Sequence, residues 1–164
     1  MRSSLVNWLG FQLGWFACVA GAGRGYFHLG VLVAGGLLTA HAAAAVAPRV
    51  EVGRILAVAA FGLALECAAL SAGLHAYAGG FLPLWVAALW LLFAATVGSS
   101  MAWLAGRPWL AAALGAVAGP VSFRAGVGLN AGAYLGDPAQ ASALLAVLWA
   151  VALPGSFFVY RRIS

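Results

Sequence analysis

Six apolar runs make up most of the chain, at residues 4–22, 27–46, 55–74, 81–104, 109–127 and 139–160. A hydrocarbon core of ~30 Å takes about 20 residues of helix, so each run is long enough to span one. The breaks between them are short and rich in Gly, Pro and charge: Gly23-Arg24-Gly25, the segment from Pro48 to Arg54, Gly79-Gly80, Gly106-Arg107-Pro108 and Gly136-Asp137-Pro138. None could hold a soluble domain, and no run alternates with the period of a barrel strand. The pattern predicts an all-α polytopic membrane protein, a single domain over residues 1–164 built as a bundle of six transmembrane helices. The fifth span is the weakest, because Gly119-Pro120 can kink it and 126–136 reads as loop. Five spans plus a re-entrant segment is the alternative. Only Trp-Phe spacing echoes link the first and fourth spans, too little to assign an inverted repeat.

Composition sharpens the class. The chain is 65% hydrophobic and 7% charged, against ~25% charged for a soluble domain. That excludes a soluble enzyme, a disordered chain and a nucleic-acid reader, and makes the lipid bilayer the first partner. The net charge of +5 comes from eight basic residues, all Arg, against three acidic ones. With the N-terminus inside, Arg2, Arg49, Arg54, Arg107, Arg161 and Arg162 fall on the cytoplasmic side, and Arg24 and Arg124 on the other. The positive-inside rule then puts both termini in the cytoplasm. Asn7, Trp8, Gln12 and Trp15 interrupt the first run, which marks a retained helix rather than a cleaved signal peptide. Cys18 and Cys67 each lie inside an apolar run and read as small hydrophobes.

Few polar residues remain to carry chemistry. On the first helix Asn7, Gly10, Gly14, Cys18 and Gly21 share a face suited to close helix packing, within the chain or in a homo-oligomer or with a membrane partner. Gln12 lies on a different stripe beside Trp8 and Trp15, as packing amide or as ligand hydrogen-bonder. Glu66, about 12 residues beyond Arg54, is ~18 Å deep on a helix. A carboxylate there costs ~3 kcal/mol or more on insertion scales, so it should face the interior with a partner or a proton. Its face also carries Ala59, Gly62, Ala69 and Gly73. Arg124 can reach toward Glu66 or snorkel to the headgroups. The expected outer cluster is Glu66 with Arg24, His28, His75 and Arg124. His75, nine residues on along the same helix, would stand ~13 Å above Glu66, too far to touch it. The inner half offers Asn7, Gln12, Thr39 and His41. His28 and His75 could face one another as haem ligands, but no motif accompanies them, and neither a cofactor nor a metal is assigned. Ser99, Ser100 and Ser122 have no base near them in sequence, and no catalytic set is recognisable.

Several motifs carry a family likeness: the opening from Asn7 to Phe16, Pro83-Leu84-Trp85 running into Leu89-Trp90-Leu91-Leu92-Phe93-Ala94, Gly106-Arg107-Pro108, and Gly119-Pro120-Val121-Ser122. Together they resemble an uncharacterised bacterial inner-membrane family, catalogued as the domain of unknown function two-eight-seven-eight. The resemblance covers essentially the whole chain. Where a polar Asn-x-Ser stretch is expected after Thr96, this chain has Val97-Gly98-Ser99-Ser100. The resemblance implies an inner-membrane location and no activity, beyond a loose association with genes of membrane-lipid modification. Three functions stay open: a small carrier or membrane-embedded binding protein with a polar site facing the periplasm, a structural or accessory subunit, and a partner of membrane-lipid modification.

Overall fold

The structure, a computed structural model, describes residues 4–163. Arg2 lies outside the described residues. Six helices form: α1 (Ser4–Ala22), α2 (Phe27–Ala43), α3 (Pro48–Ser71), α4 (Leu84–Val97), α5 (Pro108–Gly128) and α6 (Pro138–Arg162). Two short strands, β1 (His75–Tyr77) and β2 (Gly132–Tyr134), and a 3-10 turn at Ala102–Leu104 complete the order. Helices α1, α3, α5 and α6 are long and apolar enough to cross a membrane. Large apolar side chains stand exposed on them, among them Leu13, Phe16, Val117, Val121, Val147 and Val151, a surface made for lipid rather than water.

The other two helices are shorter than their apolar runs. Helix α2 has 17 residues and α4 only 14. The fourth run was expected to be helical from 81 to 104. It starts late, after Pro83, and stops at Gly98, where a Cβ would meet the Tyr160 hydroxyl. Gly and Ser are poor helix formers, and Gly98-Ser99-Ser100 turns the chain instead. Helix α4 packs against α1, α2 and α3, and Trp85, Val86, Trp90, Leu92 and the stretch from Ala94 to Val97 are buried. A helix apolar on every side is a core helix. Helix α5, by contrast, continues unbroken through Pro120.

The strands, absent from the sequence expectation, arise from two like helix ends. At the end of α3, Gly73 takes φ +69°, its N–H donates to the Leu70 carbonyl, and the Leu74 N–H donates to that of Ala69. At the end of α5, Asn130 takes φ 61°, its N–H donates to the Val127 carbonyl, and the Ala131 N–H to that of Gly126. Both are Schellman caps, which need a residue tolerant of the left-handed region. Each cap reverses the chain into a strand, and the strands pair antiparallel in the register His75↔Tyr134, Ala76↔Ala133, Tyr77↔Gly132. A proline then precedes or opens the next helix, Pro83 for α4 and Pro138 for α6.

The segments α3-β1-α4 and α5-β2-α6 thus follow one plan. Gly62 stands as far ahead of Gly73 as Gly119 does ahead of Asn130, and Tyr77 follows its cap at the same distance as Tyr134. A Cβ at Gly62 would lie 2.1 Å from the Trp90 ring, and one at Gly119 2.2 Å from the Trp149 ring. These two indoles stack at 5.1 Å and 6° between the glycine faces. The packing is not symmetric: α3 contacts both α4 and α6, whereas α5 packs chiefly on α6. The space left between α4 and α5 is a half-open cavity.

Helix directions alternate, so the bundle has two distinct ends. Hydrogen bonds from Ser100 to Asn7, Tyr160 to Glu51 and Arg161 to the Ala105 carbonyl gather one end. It carries Arg49, Arg54, Arg107, Arg161 and Arg162. The opposite end carries Arg24 and Arg124, and there a Cβ at Gly23 would overlap the Leu129 carbonyl.

A candidate functional site at a buried carboxyl

Glu66 sits on the inward face of α3 with Ala59, Gly62 and Ala69, all buried. It is 6% exposed. His75 Nε2 lies 2.8 Å from Oε1, and the Tyr77 hydroxyl donates to the same oxygen at 2.9 Å. The Trp90 indole N–H reaches Oε2 only at 3.4 Å. A carboxylate accepts and cannot donate, so the network assigns a proton to His75 Nε2. His75 Nδ1 is the one buried side-chain polar atom without a hydrogen-bond partner among the described residues. Burial pushes the Tyr77 phenol well above its ordinary pKa, and the adjacent Glu66 carboxyl raises it further, so Tyr77 keeps its proton and stays a donor. Hydrogen bonds to a charged group contribute roughly 1.5–3 kcal/mol each, against a desolvation penalty of several kcal/mol for a buried carboxylate.

The sequence expectation for His75 is corrected by this geometry. His75 does not continue α3 above Glu66. Gly73 ends the helix, and β1 folds back so that His75 and Tyr77 meet Glu66 directly. Rings hold the fold-back in place. Phe123 packs on His75 at 4.6 Å and on Tyr134 at 5.1 Å, Tyr77 packs edge-on against Trp85 at 5.2 Å, and the Trp85 indole donates to the Ala78 carbonyl at 3.0 Å.

Glu66 and Tyr77 belong to the wall of the cavity between α4 and α5. Its volume is about 120 Å³, and Trp15, Trp90, Phe93, Phe123 and Trp149 are among the residues that line it. Across it, the Trp15 indole donates to the Ser122 hydroxyl at 3.0 Å, tying α1 to α5.

The rest of the expected outer cluster does not assemble. Arg124 follows the inward-facing Phe123, and is exposed, with no ion pair to Glu66 among the described residues. Arg24 is exposed and donates to the Ala20 carbonyl at 3.1 Å. His28 is exposed near the start of α2. Gln12 is half-buried, off the cavity wall, and makes no hydrogen bond among the described residues. The charged groups fail to converge because each stands at a helix end or on an outer face, where its charge remains hydrated.

The packing residues of α1 act as a clamp. Asn7 Oδ1 accepts from the Ser100 N–H at 3.2 Å and hydroxyl at 2.7 Å, while Nδ2 donates to the Ala95 carbonyl at 3.1 Å. A Cβ at Gly14 would lie 2.4 Å from Leu92, whereas one at Gly10 would meet Leu37 at an ordinary 3.6 Å. Beyond them, Gly30 of α2 presses on the Cys18 backbone.

A second polar group, missed in the sequence because Glu51 lies in a charged break, closes the opposite end. His41 Nε2 is 3.0 Å from Glu51 Oε1, and the Tyr160 hydroxyl donates to Oε2 at 2.8 Å. Arg54 covers the Tyr160 ring at 4.9 Å. Asn7 and His41 line a second cavity of about 290 Å³ between α1, α2 and α4.

The model of one protein family matches residues 4–155, and that family is described as protein of unknown function (DUF2878). The chain belongs to this family. No curated protein and no solved structure matches the chain. Family membership therefore supplies no activity, and the chemistry of the cavity carries the functional reading.

Proposed function

We propose that this protein is a small carrier or membrane-embedded binding protein of the bacterial inner membrane, crossing it six times with both termini in the cytoplasm. The observation that carries the reading is the Glu66 carboxyl, buried on the wall of an aromatic cavity and bonded by His75, Tyr77 and Trp90, with no arginine paired to it among the described residues. An ionisable group kept inside a membrane bundle at this cost is a functional site by default. The separation of five arginines at one end from Arg24 and Arg124 at the other supports the orientation. In that orientation the Glu66 cavity belongs to the periplasmic half.

Transport, rather than simple binding, is favoured by the second cavity. Phe11 lines both cavities, so the two are neighbours in the bundle. A second reading, docking of a partner helix or another copy, draws on Gly35 and Gly36 of α2, which face outward with nothing within 4 Å.

Comparing metabolites and lipids of a deletion strain, complemented by wild type or by Glu66→Gln, tests the proposal. A soluble-metabolite change reversed by wild type but not by folded Glu66→Gln is expected. Full rescue by Glu66→Gln, or a change confined to lipids, would overturn the carrier.

A further inference from the structure

We propose that the Glu66 cavity takes a small organic monocation, an ammonium-type head carrying alkyl substituents. This rests on the reading of the cavity as a ligand site, and four observations lead from that reading to the ligand's chemistry.

The first is charge. Among the described residues, His75, Tyr77 and Trp90 are the side chains that bond Glu66, and no arginine pairs with it. The guanidinium expected nearby, that of Arg124, is exposed. A ligand entering the cavity therefore meets an acceptor of negative charge at low dielectric, where a cation is attracted and an anion repelled.

The second is the wall. Trp15, Trp90, Trp149 and Phe123 border the same space as the carboxyl. Aromatic faces attract alkylated ammonium groups through their quadrupoles, with ring centroids within about 6 Å of the cation. The Trp90–Trp149 stack, its outer faces covered by Gly62 and Gly119, holds that side of the wall rigid, so the ring contact to a cation falls to Trp15 and Phe123.

The third is the free acceptor. Oε1 already receives two hydrogen bonds, while Oε2 has only the 3.4 Å contact with Trp90. It retains capacity for a further donor or cation.

The fourth is size and ligand count. A cavity of ~150 Å³ holds benzene, and this one, at about 120 Å³, suits a head of similar or slightly smaller bulk. A hydrated inorganic ion fits the chemistry poorly. Calcium takes 6–8 oxygen ligands, and the oxygen-bearing side chains of the wall are one carboxyl, the Tyr77 phenol and the Ser122 hydroxyl.

Equilibrium dialysis of the purified full-length protein in detergent, with radiolabelled tetramethylammonium and, separately, labelled tert-butanol as a neutral molecule of like size, tests the inference. Tetramethylammonium is expected to bind, tert-butanol to bind at least tenfold more weakly, and Glu66→Gln, checked for an unchanged unfolding temperature, to cost at least tenfold in cation affinity. The wild-type comparison stands even if Glu66→Gln does not fold. Equal or tighter binding of tert-butanol, or unchanged cation affinity in folded Glu66→Gln, would overturn the cation while leaving the cavity as a ligand site. Binding of neither probe would overturn the cation and the ligand site together.

Discussion

Replacing Gly62 by Ala tests the packing that forms the cavity wall. The added Cβ would fall 2.1 Å from Cε3 and 2.2 Å from Cζ3 of Trp90, where carbon contacts sit at ~3.5–4.0 Å. The ring would have to retreat by about 1.5 Å to reach that range. Trp149 stacks behind it at 5.1 Å and rests in turn on Gly119, so the displacement passes through a filled layer. Overpacking a core costs typically ~1–3 kcal/mol, and the two-sided clamp argues for the upper half of that range. Ala gains ~0.8–1.0 kcal/mol over Gly in a helix, which leaves a net loss of about 1–2 kcal/mol. Gly35→Ala and Gly36→Ala, at positions with nothing within 4 Å, supply controls expected to be neutral or stabilised. Unfolding equilibria of the four proteins in mixed micelles, followed by circular dichroism, measure the difference. If Gly62→Ala were as stable as the controls, Trp90 would not be seated on α3, and the cavity wall derived from it would be wrong.

Other outcomes follow from single contacts. Gly14→Leu should reduce folded yield severely, because its side chain would enter Leu92, while Gly10→Leu should be milder; size-exclusion profiles of the two variants check the order. Tyr77→Phe removes one donor from Glu66 and should destabilise by roughly 1.5–3 kcal/mol, the worth of a hydrogen bond to a charged group, measured by the same unfolding titration; no loss would mean that the phenol does not hold the carboxyl. Alkaline phosphatase should be inactive when fused at the C-terminus and active when inserted at the Gly79-Gly80 turn, and the reverse pattern would invert the orientation.

The long helices were legible because lipid demands length and apolarity, and the residues satisfy both. Helix α4 was not legible in the same way. Its apolar run extends past Gly98, where Gly98-Ser99-Ser100 weakens the helix and Tyr160 approaches closely. Glu66 was legible as an inward residue from its small neighbours Gly62 and Ala69. Its partners were not, since the helix was carried through Gly73 into His75. Gly73 was the available signal: a glycine after a helical run, where the left-handed cap reverses the chain. The match between the two α-β-α segments leaves little trace in the sequence for a similar reason. It resides in cap positions and glycine faces, with Asn130 standing in for Gly73 and Phe123 for Glu66, rather than in repeated residues. The Trp90–Trp149 stack joins residues from two different helices, and periodicity along either one contains no trace of it.

The central claim, that a ligand sits beside Glu66 between α4 and α5, is tested most directly by crystals grown with tetramethylarsonium. Arsenic would mark the cation by anomalous scattering. The expected result is one strong peak inside the cavity, within ~6 Å of an indole centroid and on the Oε2 side of Glu66. A cavity without a peak at saturating cation, or one filled by the displaced Trp90 ring, would contradict it.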